Sequence, residues 1–375
     1  MNLRTLFCAG VAACITFPTS MAYAEEHDMH HGHCLHISGG HDHNSINAYS
    51  SVGIMGDHMH QKGDWMVSYR YMHMNMEGNR NGRNSLSDDE IATGYANRFA
   101  NVAMQPDTLR IVPQEMSMDM HMIGAMYAPA DWLTLMVMGN YIEKEMTTLT
   151  YSGMMGTNTL GENTTKTSGW GDTKLSSLIG IYDHGMHHVH LNLGLSLPTG
   201  SIKESDDMLT PMNVRQNMRL GYTMQLGTGT YDLHPGITYT GQNGDLVWGA
   251  QYMAEIRLED ENDEGYAWGD KHTLNVWSSY AWEKWFSTTA RVQASTQDSI
   301  DGIDSQIIGP MQATDPDNYG GETIEVGLGV NFLGMSGHLK DHRIGAEFLT
   351  PVYQDLNGPQ MEKEYTFTLG WHYSF

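Results

Sequence analysis

Polar and apolar positions alternate without a break at the end of the chain. Tyr365, Phe367, Leu369, Trp371, Tyr373 and Phe375 are aromatic or Leu, while Glu364, Thr366, Thr368, Gly370, His372 and Ser374 are polar or small. A period of two predicts a β-strand with one apolar and one wet face. Comparable runs lie near residues 64–77, 112–127, 132–146, 172–183, 187–198, 230–241, 245–258, 272–283, 286–297, 322–333 and 342–353. In the run at 187–198, Val189, Leu191, Leu193, Leu195 and Leu197 share a face, and in the run at 322–333 Ile324, Val326, Leu328, Val330 and Phe332 do. The connections alternate in length. Ala128 to Asp131, Asp183 to Gly185, Gln242 to Gly244 and Glu283–Lys284 are short, and Gly334 to Asp341 is somewhat longer. Long connections follow residues 77, 146, 198, 258, 297 and 353.

An even strand count, aromatic residues at both ends of the apolar faces and this loop alternation predict an all-β fold. It is a transmembrane antiparallel up-and-down β-barrel of about twelve strands over residues 64–375. A soluble β-sandwich also alternates, but it has no use for aromatic girdles. A terminal Phe on such a strand is a sorting mark of bacterial outer-membrane barrels, which predicts an outer-membrane location with the N-terminus in the periplasm. Mean hydropathy is −0.42, and no run of about 18 apolar residues follows the N-terminus, so spanning helices are excluded.

The first 24 residues read as an export signal: Arg4 gives the positive charge, Leu6 to Phe17 the apolar run, and Ala22-Tyr23-Ala24 the cleavage site. Val11 to Cys14 also fits a loose lipoprotein signal. Cleavage after Ala24 leaves Cys34 as the one cysteine, so no disulfide forms within the chain. The net charge of −24 attracts cations and argues against nucleic-acid binding. The expected partners are outer-membrane lipids, lipopolysaccharide, and metal ions or small solutes; the sequence points to no protein partner. Glu259 to Gly265 half-resembles a calcium loop, but Lys271 stands where the distal Glu belongs, so it reads as a solvated loop.

Residues 25–63 form a His/Met-rich segment ahead of the barrel. His27, His30, His31, His33, His36, His41, His43, His58 and His60 are interleaved with Met29, Met55, Met59 and Cys34. Imidazole binds Cu, Zn and Ni, and thioether or thiol sulfur favours Cu(I). A mature start at Glu25-Glu26-His27 would add a four-nitrogen square plane suited to Cu(II) or Ni(II). His27, His30, His31, His33, Cys34, His36, His41, His43, His58, Met59 and His60 are therefore the candidate metal ligands. Copper is the expected ion, with zinc and nickel as alternatives, and no cofactor is required. A polar low-complexity tail is the competing reading.

Methionine is abundant, with 29 in the chain. A charge facing lipid is costly, so Arg70 turns Met66, Met72 and Met74 toward the lumen. On the same rule Asp119 and His121 point inward, and Met118, Met120 and Met122 face lipid. Leu133, Leu135 and Val137 turn Met136 and Met138 inward. The predicted lumen group is Met72, Met74, Asp119, His121, Met136 and Met138, with His188, His190 and His234. It would be either a soft-metal site or adaptable packing. Arg70, Lys174, Asp232, Glu255, Arg257, Arg291, Glu325, Arg343, Glu347 and His372 also fall on inward positions, and such charges should pair across a narrow interior. No nucleophile motif is present; His372 and Ser374 share a face only by alternation, so no enzyme is expected.

The segments Met55-Gly-Asp-His-Met-His60, Gly63-Asp-Trp-Met66, Ser68-Tyr-Arg-Tyr-Met72, Met126-Tyr-Ala-Pro129, Asp131 to Met136, Trp170-Gly-Asp172, Leu195 to Gly200 and Gly227 to Asp232 resemble an outer-membrane barrel family. It is named for the meta-pathway of phenol degradation and often simply called transporters. The resemblance spans about residues 55–375 and implies a barrel that passes aromatic compounds; it brings no binding residues with it. Three functions compete: a copper-linked barrel in metal export or tolerance, a passive channel for small organic or aromatic molecules, and a surface barrel without transport.

Overall fold

The computed structural model describes residues 50–102 and 104–375. The export signal and His27, His30, His31, His33, Cys34, His36, His41 and His43 lie outside the described residues.

The strands are β1 (Trp65–Gly82), β2 (Asn84–Leu86), β3 (Ile111–Ala130), β4 (Leu133–Tyr151), β5 (Thr159–Trp170), β6 (Thr173–His184), β7 (His187–Leu197), β8 (Ser205–Leu209) and β9 (Arg215–Arg219). They continue as β10 (Asp232–Asn243), β11 (Leu246–Arg257), β12 (Tyr266–Ala267), β13 (Lys271–Glu283), β14 (Phe286–Gln297), β15 (Asp301–Gly302), β16 (Gly321–Leu333) and β17 (His342–Ser374). One short helix, α1 (Asp88–Gly94), follows β2. Antiparallel pairing runs β1-β3-β4-β6-β7-β10-β11-β13-β14-β16-β17, and β17 pairs back to β1, closing the ring with eleven continuous elements. β5 and β6 lie end to end against β4. β17 is bent back at Gly358, whose φ of +66 suits glycine. Its first arm pairs with β16 through residues 343–356 and its second with β1 through 356–374. With the arms counted separately the ring has twelve staves. The long connection expected after residue 353 is therefore strand up to a tight reversal, because Gln354 and Lys363 bond across the two arms.

Alternation decides which side each residue faces. Leu369 on β17 and Phe375 just after it are exposed while Thr366, Thr368, Gly370, His372 and Ser374 are buried inside. Leu328 on β16 is 72% exposed although it sits mid-strand, while Glu325 on the opposite face of the same strand is fully buried. A ring with Leu, Val, Ile and Trp outside and charges inside is the inverse of a soluble fold, and suits a lipid surround. Aromatic residues crowd the short-turn end: Trp65 stacks on Tyr127, Trp285 on Phe332, and Tyr373 on Phe375. A second set lies farther along the staves, with Tyr141 against Trp170 and Phe348 on Tyr365. From Phe375 to Tyr365 a strand rising about 3.3 Å per residue at a tilt of about 40° covers about 25 Å, the height of an apolar membrane band.

The long-loop end is capped by its own core. Tyr222, Tyr266, Ile300, Ile307 and Tyr319 form a buried cluster, with Tyr222 edge-on to Tyr266 at 4.7 Å. The cap is tied down by Asp172, which lies between β5 and β6. Its carboxylate accepts from the backbone N–H groups of Gly200 and Thr228, both at 2.8 Å, and from the Thr228 hydroxyl at 3.1 Å. Gly200 and Gly227 touch there: a Cβ on Gly200 would stand 2.8 Å from the Gly227 Cα. Three of the motifs that carried the family resemblance thus meet at one knot.

Candidate functional site

The interior holds a plug. Residues 50–60 cross the lumen near the short-turn end. A segment without secondary structure must find partners for its backbone groups when buried, and here the inward side chains of the staves supply them. The Ser50 carbonyl accepts from the Arg343 guanidinium at 2.6 Å. The Gly53 N–H donates to the Glu347 carboxylate at 3.0 Å. The Met55 carbonyl accepts from the Gln251 amide at 2.9 Å, and the Gly56 carbonyl from the His190 imidazole at 2.9 Å. The His60 N–H donates to the Thr134 hydroxyl at 3.1 Å. The partners come from β4, β7, β11 and β17, so the segment spans the bore.

Shape fixes it further. Val52 lies against Gly345 and Gly370, where any side chain would collide with it. Gly53 faces Glu347 and Arg291; a Cβ there would come within 2.6 Å of the Arg291 Nη1. Gly56 adopts φ +64 against Asn192. Asp57 is buried and accepts from the Ser50 hydroxyl at 2.6 Å, with the His58 ring 2.9 Å away. The His58 and His60 rings are 5.0 Å apart, edge to face. Met59 between them packs with Met66, Met126, Leu178 and Met136. Among the described residues no three His, Cys, Asp or Glu side chains gather into a metal-holding group.

The remaining predicted lumen residues divide. Met72, Met74, Met136 and Met138 face inward, as do His188, His190 and His234. His190 holds the plug, His188 lies 3.1 Å from Asp183, and His234 is buried beside Gly194. Asp119 and His121 do not belong to this group. They sit in register with His73 and Tyr71, on the same outer face as Trp65 and Ile123. Their polarity is met there: Tyr71 donates to Asp119 at 2.5 Å, the His73 ring lies 2.8 Å from it, and the Tyr69 hydroxyl bonds His121 at 2.7 Å. Met118, Met120 and Met122, expected to face lipid, line the interior instead.

The inward faces of β1, β3 and β4 form a wall. Across β1, β3 and β4 the inward rungs, from the short-turn end, are Met66–Met126–Met136, Ser68–Gly124–Met138, Arg70–Met122–Asn140, Met72–Met120–Ile142, Met74–Met118–Lys144 and Met76–Met116–Met146. Every rung holds at least one methionine. At the far end, Met116 and Met146 join a buried cluster with Met208, Met224, Met311 and Met361 from the loops and β17. The wall flanks a chamber of about 540 Å³ that reaches from Gly53 on the plug to Tyr319, Gly320 and Gln360 at the outer turns. Charges on the opposite side pair, as expected: Arg291 with Glu347 at 3.1 Å and Lys363 with Glu325 at 3.0 Å. Arg257 and Asp232 pair at 2.6 Å.

No protein-family model and no curated protein sequence matches this chain. Among solved structures, the COG4313 outer membrane channel from Pseudomonas putida F1 is similar at 11% identity with a TM-score of 0.55, covering 87% of this chain and 100% of that one. The TodX deltaS2S3 mutant monoaromatic hydrocarbon channel gives 9% identity and a TM-score of 0.43 over 84% and 91% of the two chains. The feature shared with the COG4313 channel is the barrel fold.

Proposed function

We propose that the protein is an outer-membrane channel closed at rest, with residues 50–60 as its inner gate and the short-turn end facing the periplasm. The observation that carries this reading is the plug, bonded to inward side chains of four strands below a chamber that extends to the outer turns. Cargo passes when the gate leaves its partners. In the same reading the His/Met-rich segment ahead of the gate, His27 to His60 with Cys34, collects copper in the periplasm and links the channel to metal export or tolerance. His58, Met59 and His60 support this, since they carry the segment's chemistry into the bore. The test is solute uptake and copper binding by the full chain and by a variant lacking residues 25–60. Loss of tight copper binding together with faster uptake supports the reading; unchanged copper stoichiometry removes the collecting role.

A second reading is passage of small organic or aromatic molecules. It is favoured by the methionine-lined wall of the chamber, by the resemblance to the meta-pathway family, and by a fold shared with a protein described as an outer membrane channel. Uptake of aromatic solutes into vesicles, indifferent to copper, would select it.

A further inference from the structure

The same three staves sort their apolar residues by side. Toward lipid, β1, β3 and β4 present Val67, Ile123, Leu133, Leu135 and Val137; toward the lumen every rung carries methionine. If the lumen needed only an apolar wall, Leu and Val would serve there too. Burying methionine costs more side-chain entropy than burying leucine, on the order of 1 kcal/mol per residue. What methionine adds is thioether sulfur, a polarisable soft donor that favours Cu(I) and shows little affinity for hard cations.

We infer that this wall is a relay of thioether sites for a soft monovalent cation, Cu(I) or Ag(I). Partners across neighbouring strands have Cβ atoms about 5 Å apart, so the sulfurs of Met72 and Met120, or of Met74 and Met118, can reach one ion. Successive rungs stand two residues apart, about 7 Å along the strand, so an ion released by the Met74–Met118 pair is within reach of Met72 and Met120, and the single sulfurs of Met122 and Met138 stand between that pair and the lowest rung. The two three-methionine rungs lie at the ends. Met59 of the gate packs on the lower one, and the loop methionines Met208, Met224 and Met311 join the upper one. The wall therefore connects the gate with the outer cap. Lys144 and Arg70 share it, but Lys144 is engaged by the carbonyls of Thr223 and Gln225 at 2.7 and 2.5 Å, while across the chamber Arg291 pairs with Glu347 and Lys363 with Glu325. The ion keeps its charge throughout, and no electron or proton is transferred.

The inference rests on the channel reading, whose own test is solute uptake. The probe for the wall is Ag(I), which does not change oxidation state in air. The full chain, labelled with ¹³C at the methionine methyl groups and held in micelles, is titrated with Ag(I). Single substitutions Met72→Leu, Met74→Leu, Met118→Leu and Met120→Leu assign the resonances; each conserves volume and is expected to fold. Shifts of these four methyl signals at low Ag(I) equivalents, with at least tenfold weaker Ag(I) binding at the wall in the quadruple Leu variant, are the expected result. Wall methyls that do not move, or a folded quadruple variant with an unchanged binding curve, overturn the inference. If the quadruple variant fails to fold, the methyl shifts of the unsubstituted chain decide. Solute uptake that persists while the wall ignores Ag(I) leaves the channel standing and removes the relay. Wall shifts without uptake do the reverse.

Discussion

Gly53 shows how little room the gate has. Any side chain there meets Glu347 and Arg291, so Gly53→Val should expel the segment while leaving the ring closed. Overpacking of this kind costs about 1–3 kcal/mol, and each 1.4 kcal/mol is a factor of about ten in an equilibrium. We expect solute uptake by vesicles to rise about tenfold, with the folded barrel band unchanged on a gel run without heating. Asp172 is a second decisive residue. Asp172→Ala leaves the backbone N–H groups of Gly200 and Thr228 without their acceptor, and should lower unfolding stability by about 3 kcal/mol, read by denaturant unfolding in micelles. The sequence pointed to both places unevenly. The Gly-Asp, Pro-Thr-Gly and Gly-Thr-Gly-Thr segments stood out as motifs, but their meeting point spans residues 172 to 228. The gate has no periodicity, and its partners lie up to 296 positions away in the chain; nothing local marks such contacts.

The staves were legible because only alternate positions face lipid, and that period of two survives in every long strand. The facing of β3 departs from the expected one for a physical reason. Asp119 and His121 were expected to avoid the outer face, and methionine on both sides offers no polarity contrast to correct the phase. Hydroxyls of Tyr69 and Tyr71 on β1 make the outward placement tolerable, which a single strand cannot disclose. Nitroxide labels placed singly at residues 119 to 125 in a reconstituted protein test the phase. Labels at 121 and 123 should be most accessible to oxygen dissolved in the bilayer, those at 120 and 122 least; the opposite alternation would contradict the outward placement of Asp119 and His121. The outer cap has a pH limit of its own. Burial pushes the Tyr222 hydroxyl up to about 12, and raises Tyr266 and Tyr319 as well. A hydroxyl raised by folding stabilises the cap only while neutral. Its contribution is complete below the unfolded value of about 10 and is lost as pH rises through about 12. Tyrosinate absorbance should therefore show a late-titrating group, with protease cleavage in residues 198–231 rising only with it.

At the scale of the molecule, a ring with an apolar exterior, ion pairs in its interior, residues 50–60 across one end and a tyrosine-rich cap at the other is what the proposed closed channel requires. Its overall class was readable from periodicity and loop lengths. Its closure was not, since gate, wall and cap exist only once strands distant in sequence stand side by side. The most direct measurement is conductance and solute uptake in planar bilayers and vesicles, comparing the full chain with the variant lacking residues 25–60. A nearly silent full chain and a variant at least tenfold more permeable are the predicted result. Equal permeability of the two, whether both open or both silent, would contradict a channel gated by residues 50–60.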